Sequence, residues 1–257
     1  MKNVIYLILF VIGMILTSAT TATIMTVKPA VPKSIITFYY DNPKETFMFL
    51  KNLITDSFDT AGVLDIGCAK GEFLYYLKKT YNYTKLAGID YSENLIAQAK
   101  AFKKLSDGVR LEVLSAEDFE LHELFEVITI SGVLSYFDNP FSCLEMIEKH
   151  LKENGRAYIL GGFNDDDVDV LIRYKNNKYF SDFESGWNYH SISTIKKCLE
   201  KLNMKLINIH KFDLSFELSK NEDPARSWHI NTNIGRKLTN GLGMIYDIRV
   251  IEIIKSV

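Results

Sequence analysis

The chain contains no Cys-x-x-Cys pair and no His/Cys cluster; its 3 cysteines, Cys68, Cys143 and Cys198, stand far apart. That spacing excludes a disulfide-stapled miniprotein and a zinc ribbon. It predicts buried thiols in a reducing compartment and no bound metal. With 5 prolines and 14 glycines in 257 residues there is no collagen-like or proline-rich tract, and no internal repeat or low-complexity run interrupts the sequence. A charge excess is missing too: Lys+Arg 30 against Asp+Glu 32 gives a formal net charge of −2. A domain that grips nucleic acid through phosphates usually carries a basic surplus, so the balance disfavours a nucleic-acid partner. What remains is 47% hydrophobic residues, enough for one globular domain with a full core.

Charge is also absent from Asn3 to Val27, where Val4 to Leu16 is apolar except for Gly13. Lys2 in front and Thr17, Ser18 and Ala19 behind have the outline of a secretory signal peptide. The segment is equally long enough for one membrane-spanning helix. A third reading starts translation at Met25. Residues 1–27 are therefore a separate apolar segment, an anchor, a signal-like leader or a mis-assigned start, and residues 28–41, with Pro29 and Pro32, form a linker.

From residue 42 onward the pattern is regular. Asn42-Pro43 predicts a helix entry, Asn as cap and Pro at the first helical position, followed by Phe47, Leu50, Leu53 and Ile54 at helical spacing. Strands are predicted at 63–66, 86–89, 109–114, 127–130 and 157–160, with helices at 72–79, 92–104 (Ser92 as N-cap) and 141–152 between them. Such alternation means a parallel sheet with crossover helices. A helix at 193–202, a strand at 206–210, an irregular stretch from Asp213 to Met244 and a last β-branched strand at 248–254 complete the chain. The fold class is α/β: a doubly wound, mostly parallel seven-stranded sheet with inserted segments at 163–190 and 213–245.

The sharpest local signal is Val63-Leu64-Asp65-Ile66-Gly67-Cys68-Ala69-Lys70-Gly71-Glu72-Phe73-Leu74, a strand, a turn of small residues and a helix. Gly67 and Gly71 permit close backbone approach to a ligand, and ligands of open α/β sheets sit at the carboxyl ends of the strands. No glycine lies two residues after Gly67, and Asp65 would repel a pyrophosphate, so a nicotinamide-dependent reductase is disfavoured. Further along come Ala87-Gly88-Ile89-Asp90-Tyr91-Ser92, Ser115-Ala116-Glu117-Asp118-Phe119, the strand ending at Ser131, and Leu151-Lys152-Glu153-Asn154-Gly155-Arg156.

With these five elements in order, the sequence resembles the class I S-adenosylmethionine-dependent methyltransferases over residues 42–212 and the last strand. The resemblance implies S-adenosylmethionine as cofactor, with Asp65, Gly67, Ala69 and Gly71 forming the first motif. Ala69 stands where the family commonly has its middle glycine. Asp90 is expected to accept from the ribose hydroxyls and Tyr91 to pack beside the adenine. Ala116 and Glu117 belong to the loop that holds the adenine edge; the contact to the exocyclic amine stays open among Ser115, Glu117 and Asp118. Ser131 is expected to face the methyl group. The Asn-Pro-Pro-Tyr type tetrapeptide of enzymes that methylate planar base or glutamine nitrogens is replaced by Ser131 to Phe137, which favours a small-molecule hydroxyl, amine or carboxyl acceptor, sugar-derived acceptors included. A non-catalytic cofactor-binding subunit and an RNA or protein methyltransferase are the alternatives.

No general base is named by the sequence. The two inserted segments hold both tryptophans, Trp187 and Trp228, which read first as packing anchors. With Tyr136, His190 and His229 they supply the candidate walls of an acceptor pocket. S-adenosylmethionine is made and used in the cytoplasm, so a cytoplasmic domain is expected, with residues 1–27 either an anchor or absent.

Overall fold

Val63 and Leu64 are neighbours in sequence, both fully buried, and they belong to different hydrophobic layers. Successive strand residues face opposite sides of the sheet, so a strand apolar at both positions must be covered on both faces. The computed structural model describes residues 40–178 and 182–256 and bears this out. The expectations for residues 1–27, and for the linker before Tyr40, lie outside the described residues.

Strand β1 (Ala61–Ile66) occupies the middle of the sheet, flanked in parallel by β2 (Tyr83–Asp90) and β4 (Phe125–Ser131). Outward from these run β3 (Val109–Val113) beside β2 and β5 (Leu151–Asn164) beside β4, again parallel. The antiparallel end is made by β13 (Ile248–Lys255), inserted between β5 and β9 (Met204–Phe212). The order is β3-β2-β1-β4-β5-β13-β9, seven strands, with the two-residue β8 (His190–Ser191) added on β5. One layer of helices, α1 (Glu45–Ser57) and α2 (Glu72–Thr80), buries Leu50, Ile54, Leu74 and Leu77. On the other face α5 (Phe141–His150) and α6 (Ile192–Leu199) bury Leu144, Ile147, Ile195 and Leu199. The winding reverses between β1 and β4, which places a crevice at their carboxyl ends.

Several boundaries differ from expectation. The first helix begins at Glu45, and Lys44, not Asn42, is its N-cap, extended and without a side-chain cap bond. The Glu45 carboxylate instead accepts the Ser215 N–H, at 2.9 Å, and the Ser215 hydroxyl. Tyr40 is already helical and packed on the domain, inside the stretch read as linker. Its ring stacks on Phe102, centroids 4.0 Å apart. At Phe102 the helix expected over 92–104 is divided into α3 (Glu93–Ala101) and α4 (Lys103–Ser106). Ser92 does cap α3, accepting the Leu95 N–H. Segment 213–244 is not irregular: it folds into β10 (Trp228–Thr232), β11 (Gly235–Thr239) and β12 (Ile245–Tyr246), a three-stranded antiparallel ribbon. Segment 163–190 contains a second ribbon, β6 (Arg173–Tyr174) with β7 (Glu184–Ser185). Among the described residues no helix is long and apolar enough to cross a membrane.

Candidate active site

At the carboxyl ends of β1, β2 and β4 lies a cavity of ≈ 410 Å³, within the range of small-ligand and cofactor sites. Its floor is the β1–α2 loop, where Gly67, Ala69 and Gly71 have φ of 74°, 50° and 76°. Left-handed backbone suits glycine; at Ala69 the Cβ costs about 1–2 kcal/mol. That cost is offset by a hydrogen bond from the Ala69 N–H to Asp90 Oδ2 at 2.9 Å. Gly67 is required twice over, since a Cβ there would lie 2.1 Å from Val133 Cγ2. Gly67→Ala is therefore expected to lower both S-adenosylhomocysteine affinity and melting temperature. Adding Val133→Ala should recover the steric share and leave about 1–2 kcal/mol of backbone strain. Calorimetric titration and thermal melts of both variants test this; no recovery in the double variant would dismiss the Val133 contact as the cause.

Asp90 closes β2 and is buried, with Oδ1 accepting the Ser92 N–H at 2.9 Å and Oδ2 engaged by Ala69. Each carboxylate oxygen has a second lone pair, so acceptor capacity for a diol remains. Burial pushes its carboxyl upward, and the two backbone donors pull it back. Asp65, opposite Thr129 in the β1–β4 register, accepts the Thr129 hydroxyl at 2.7 Å. Its carboxyl is pushed up to about 7, first by burial and further by the Asp90 charge, against the Thr129 bond and the Lys44 charge. Lys44 shares the cavity wall, and burial lowers its ammonium, with Glu72 and Asp65 acting the other way.

Of the residues singled out in the sequence, Asp65, Gly67, Ala69, Asp90, Tyr91, Ala116, Ser131 and Tyr136 line this cavity. Tyr91 does so while 54% exposed, an aromatic face at the mouth. Ser115 is also on the wall. Gly71 and Glu117 are not among the described lining residues: Gly71 caps α2 and packs under Leu105, and Glu117 is exposed on its loop.

The two histidines offered as acceptor walls do not line the cavity either. His190 is buried beneath it, its Nε2–H donating to the Phe137 carbonyl at 2.9 Å. His229 sits in β10 and its Nδ1 accepts the Leu218 N–H at 2.8 Å; burial and the Arg236 charge hold its imidazole low. Both serve the cap, not its inner surface. Asn188, which sequence reasoning passed over, does more: Nδ2 donates to the Phe137 carbonyl at 3.0 Å and Asp138 Oδ1 at 3.0 Å, and Oδ1 accepts the Ile172 N–H at 2.7 Å. Together with Ser185, whose hydroxyl donates to the Tyr136 carbonyl at 2.8 Å, these bonds fix segment 163–190 to the loop after β4. Asn176 Nδ2 donates to Asp223 Oδ1 at 2.9 Å, joining the two inserted segments, and Trp187 packs against Tyr246 just beyond the second.

A model of the methyltransferase domain family matches residues 40–209. The chain belongs to this family. Its cofactor is S-adenosylmethionine. The methyltransferase is similar to the tRNA U34 carboxymethyltransferase of Campylobacter jejuni, 27% identical over 145 residues, which are 56% of this chain and 49% of that protein. It is also similar to the carboxy-S-adenosyl-L-methionine synthase of Nautilia profundicola, 26% identical over 171 residues, 62% of this chain and 71% of the relative. The chain thus spans about half the length of the carboxymethyltransferases it matches. Among solved structures, an S-adenosylmethionine-dependent methyltransferase from Clostridium acetobutylicum superposes with a TM-score of 0.53 at 14% identity, covering 82% of this chain and 90% of that one. At that identity the likeness speaks for the fold.

Proposed function

We propose that this methyltransferase transfers a methyl group to a small molecule held between the β4 end of the cavity and a cap built from segments 163–190 and 213–245. The observation that carries the reading is the latch of Asn188, Ser185 and His190 on residues 136–138, which sets the cap beside the cavity wall. Neither segment offers a basic track. Segment 213–245 balances Asp213, Glu217, Glu222 and Asp223 against Lys220, Arg226, Arg236 and Lys237, and segment 163–190 carries more carboxylates than cations. That favours a compact acceptor over a phosphate backbone.

The residues present fit the cofactor: a strand-end carboxylate with spare lone pairs, a close-approach loop and an exposed aromatic face surround one cavity. Asp90 would hold the ribose hydroxyls and Tyr91 would cover the adenine, whose edge meets Ser115 and Ala116, with Glu117 on the same loop. Asp65, Gly67, Ala69 and Gly71 would shape the floor beneath the methionine part, and Ser131 would face the reacting carbon. Bound there, S-adenosylmethionine supplies a sulfonium-activated methyl for in-line displacement, so the chain has mainly to orient the acceptor and exclude water. Tyr136 is the ionisable wall residue at that end, and burial raises its phenol, keeping it a neutral donor at physiological pH. A cytoplasmic location is part of this proposal, since the cofactor is made there, with residues 1–27 an anchor or absent.

The deciding experiment is an activity screen with methyl-labelled S-adenosylmethionine against a metabolite library, run beside bulk tRNA and protein extract. Labelled small-molecule product is expected; label confined to tRNA or protein would overturn the reading. Because His229 braces the cap, His229→Ala is expected to cost about 1 kcal/mol of stability and to leave kcat/KM within about twofold. A large loss of turnover at unchanged melting temperature would instead return His229 to the reaction.

A further inference from the structure

Arg226 is the most incompletely satisfied charge near the site. Its side chain is 11% exposed, and among the described residues its guanidinium makes one hydrogen bond, from Nε to Asp223 Oδ2 at 3.2 Å. Nη1 is buried without a partner. Native structures leave few buried donors unpaired, and a charged one is the most costly kind. Asp223 compensates only part of the charge, because its Oδ1 is already shared by the Ala225 N–H at 3.0 Å and Asn176 Nδ2 at 2.9 Å.

The surroundings point toward the acceptor side. The Arg226 charge bears on the phenols of Tyr136 and Tyr174. Tyr136 lines the cavity near Ser131 and Val133, and its ring lies against Gly186 of the cap. Tyr174 stands directly across the β6–β7 ribbon from Glu184, on the same face. The charges of Arg226 and Glu184 both act on these two phenols. Asp223, the partner of Arg226, is tied to segment 163–190 through Asn176, as Ser185 of β7 is to the Tyr136 carbonyl. Arg226 is not itself among the residues lining the cavity; of the two charges acting on Tyr136 it is the one that can pair with an anion.

We propose that Arg226 anchors an acidic acceptor, its unpaired guanidinium edge taking a carboxylate or phosphate oxygen pair of the small molecule that is methylated, with Tyr136 and Tyr174 flanking it. The inference rests on the small-molecule reading above and narrows it to organic anions. A planar fork with one edge tied by Asp223 is preorganised for a bidentate oxyanion, which a lysine at this position would not reproduce.

The chain has six arginines, so arginine-selective ¹⁵N labelling of the full-length protein gives a spectrum simple enough to follow each side chain. The Arg226 signal is identified by its loss in Arg226→Lys. With S-adenosylhomocysteine present, titration with benzoate and separately with inorganic phosphate is expected to shift that signal saturably. No saturable shift with either probe would overturn the proposal. In the labelled-donor screen, product is expected in the fraction retained on an anion exchanger, and phosphatase treatment separates phosphate from carboxylate acceptors. Arg226→Gln is expected to raise KM for that acceptor about 10–100-fold with S-adenosylhomocysteine affinity unchanged, and Arg226→Lys to fall between. Label only in neutral or cationic small molecules would remove Arg226 from recognition while sparing the small-molecule reading. Label only in tRNA or protein would remove both. Should Arg226→Gln fail to fold, the wild-type titration and the Arg226→Lys kinetics still decide the matter.

Discussion

Replacing Asp90 with alanine is expected to abolish measurable S-adenosylhomocysteine binding and to loosen the cofactor loop at the same time. Its two oxygens hold the N–H groups of Ala69 and Ser92, so the side chain ties the β1–α2 turn to the start of α3 before any ligand arrives. Hydrogen bonds to a charged acceptor contribute about 1.5–3 kcal/mol each, and ligand bonds would be lost in addition. The two bonds to the ribose hydroxyls alone would amount to about 3–6 kcal/mol of affinity, enough to move a micromolar ligand out of calorimetric reach, and the two backbone bonds are lost to loop stability besides. Asp90→Asn keeps an acceptor for one backbone donor and should lose roughly half of that. Binding isotherms paired with hydrogen exchange at residues 67–71 separate the two contributions. An Asp90→Ala variant that still binds tightly would place the cofactor elsewhere.

The second large effect concerns Asp65, whose native carboxyl titrates near 7 because it is buried, with Asp90 adding to the rise. In the unfolded chain an aspartate titrates near about 3.9. Between these values the unfolded state releases a proton that the native state retains, so stability falls as pH rises from about 4 to about 7 and is level above. Asp65→Asn keeps an oxygen for the Thr129 hydroxyl and removes the buried charge. The ligand-free variant is therefore expected to be more stable than wild type at about pH 8, on the order of 4 kcal/mol, with the gap closing toward about pH 4. Affinity for S-adenosylhomocysteine should move oppositely, rising through about pH 7 in wild type as Asp65 ionises and staying flat and weak in Asp65→Asn. Chemical denaturation and titration across that range measure both. A variant less stable than wild type at every pH would show that the Asp65 charge is not a burden in the native state.

The parts of the molecule that were legible in the sequence are those specified within a few residues. Val63 to Ile66 announces a buried strand, Gly67 and Gly71 a turn with left-handed backbone, and Ser92 a helix cap, and each is decided locally. The break at Phe102 carries no glycine or proline to announce it, and the ring there stacks on Tyr40, distant in sequence. The β10–β11 hairpin was hidden for a different reason. Its two-residue loop is Asn233-Ile234 instead of Asn-Gly, and the glycine falls one place later at Gly235, φ 110°. Thr232 supplies the missing closure, its hydroxyl donating to the Gly235 carbonyl at 2.6 Å. Likewise His190 and His229 looked chemical because imidazoles so often are, whereas one ring nitrogen of each bonds backbone, Nε2 of His190 the Phe137 carbonyl and Nδ1 of His229 the Leu218 N–H. Lys44 was masked by the expectation of a helix beginning before it; an extended Lys44 reaches the cavity wall instead.

The position of β13 also bears on how the protein is made. The strand that lies between β5 and β9 is Ile248–Lys255, so during synthesis both neighbours leave the ribosome before the strand that joins them. Until it arrives, β5 and β9 each present a row of unpaired amides and carbonyls, a template for pairing with other nascent chains. A segment translated after every cavity-lining residue is thus the one that withdraws the enzyme from aggregation. Deleting residues 248–255 would leave every cavity-lining residue in place and is expected to yield an insoluble product.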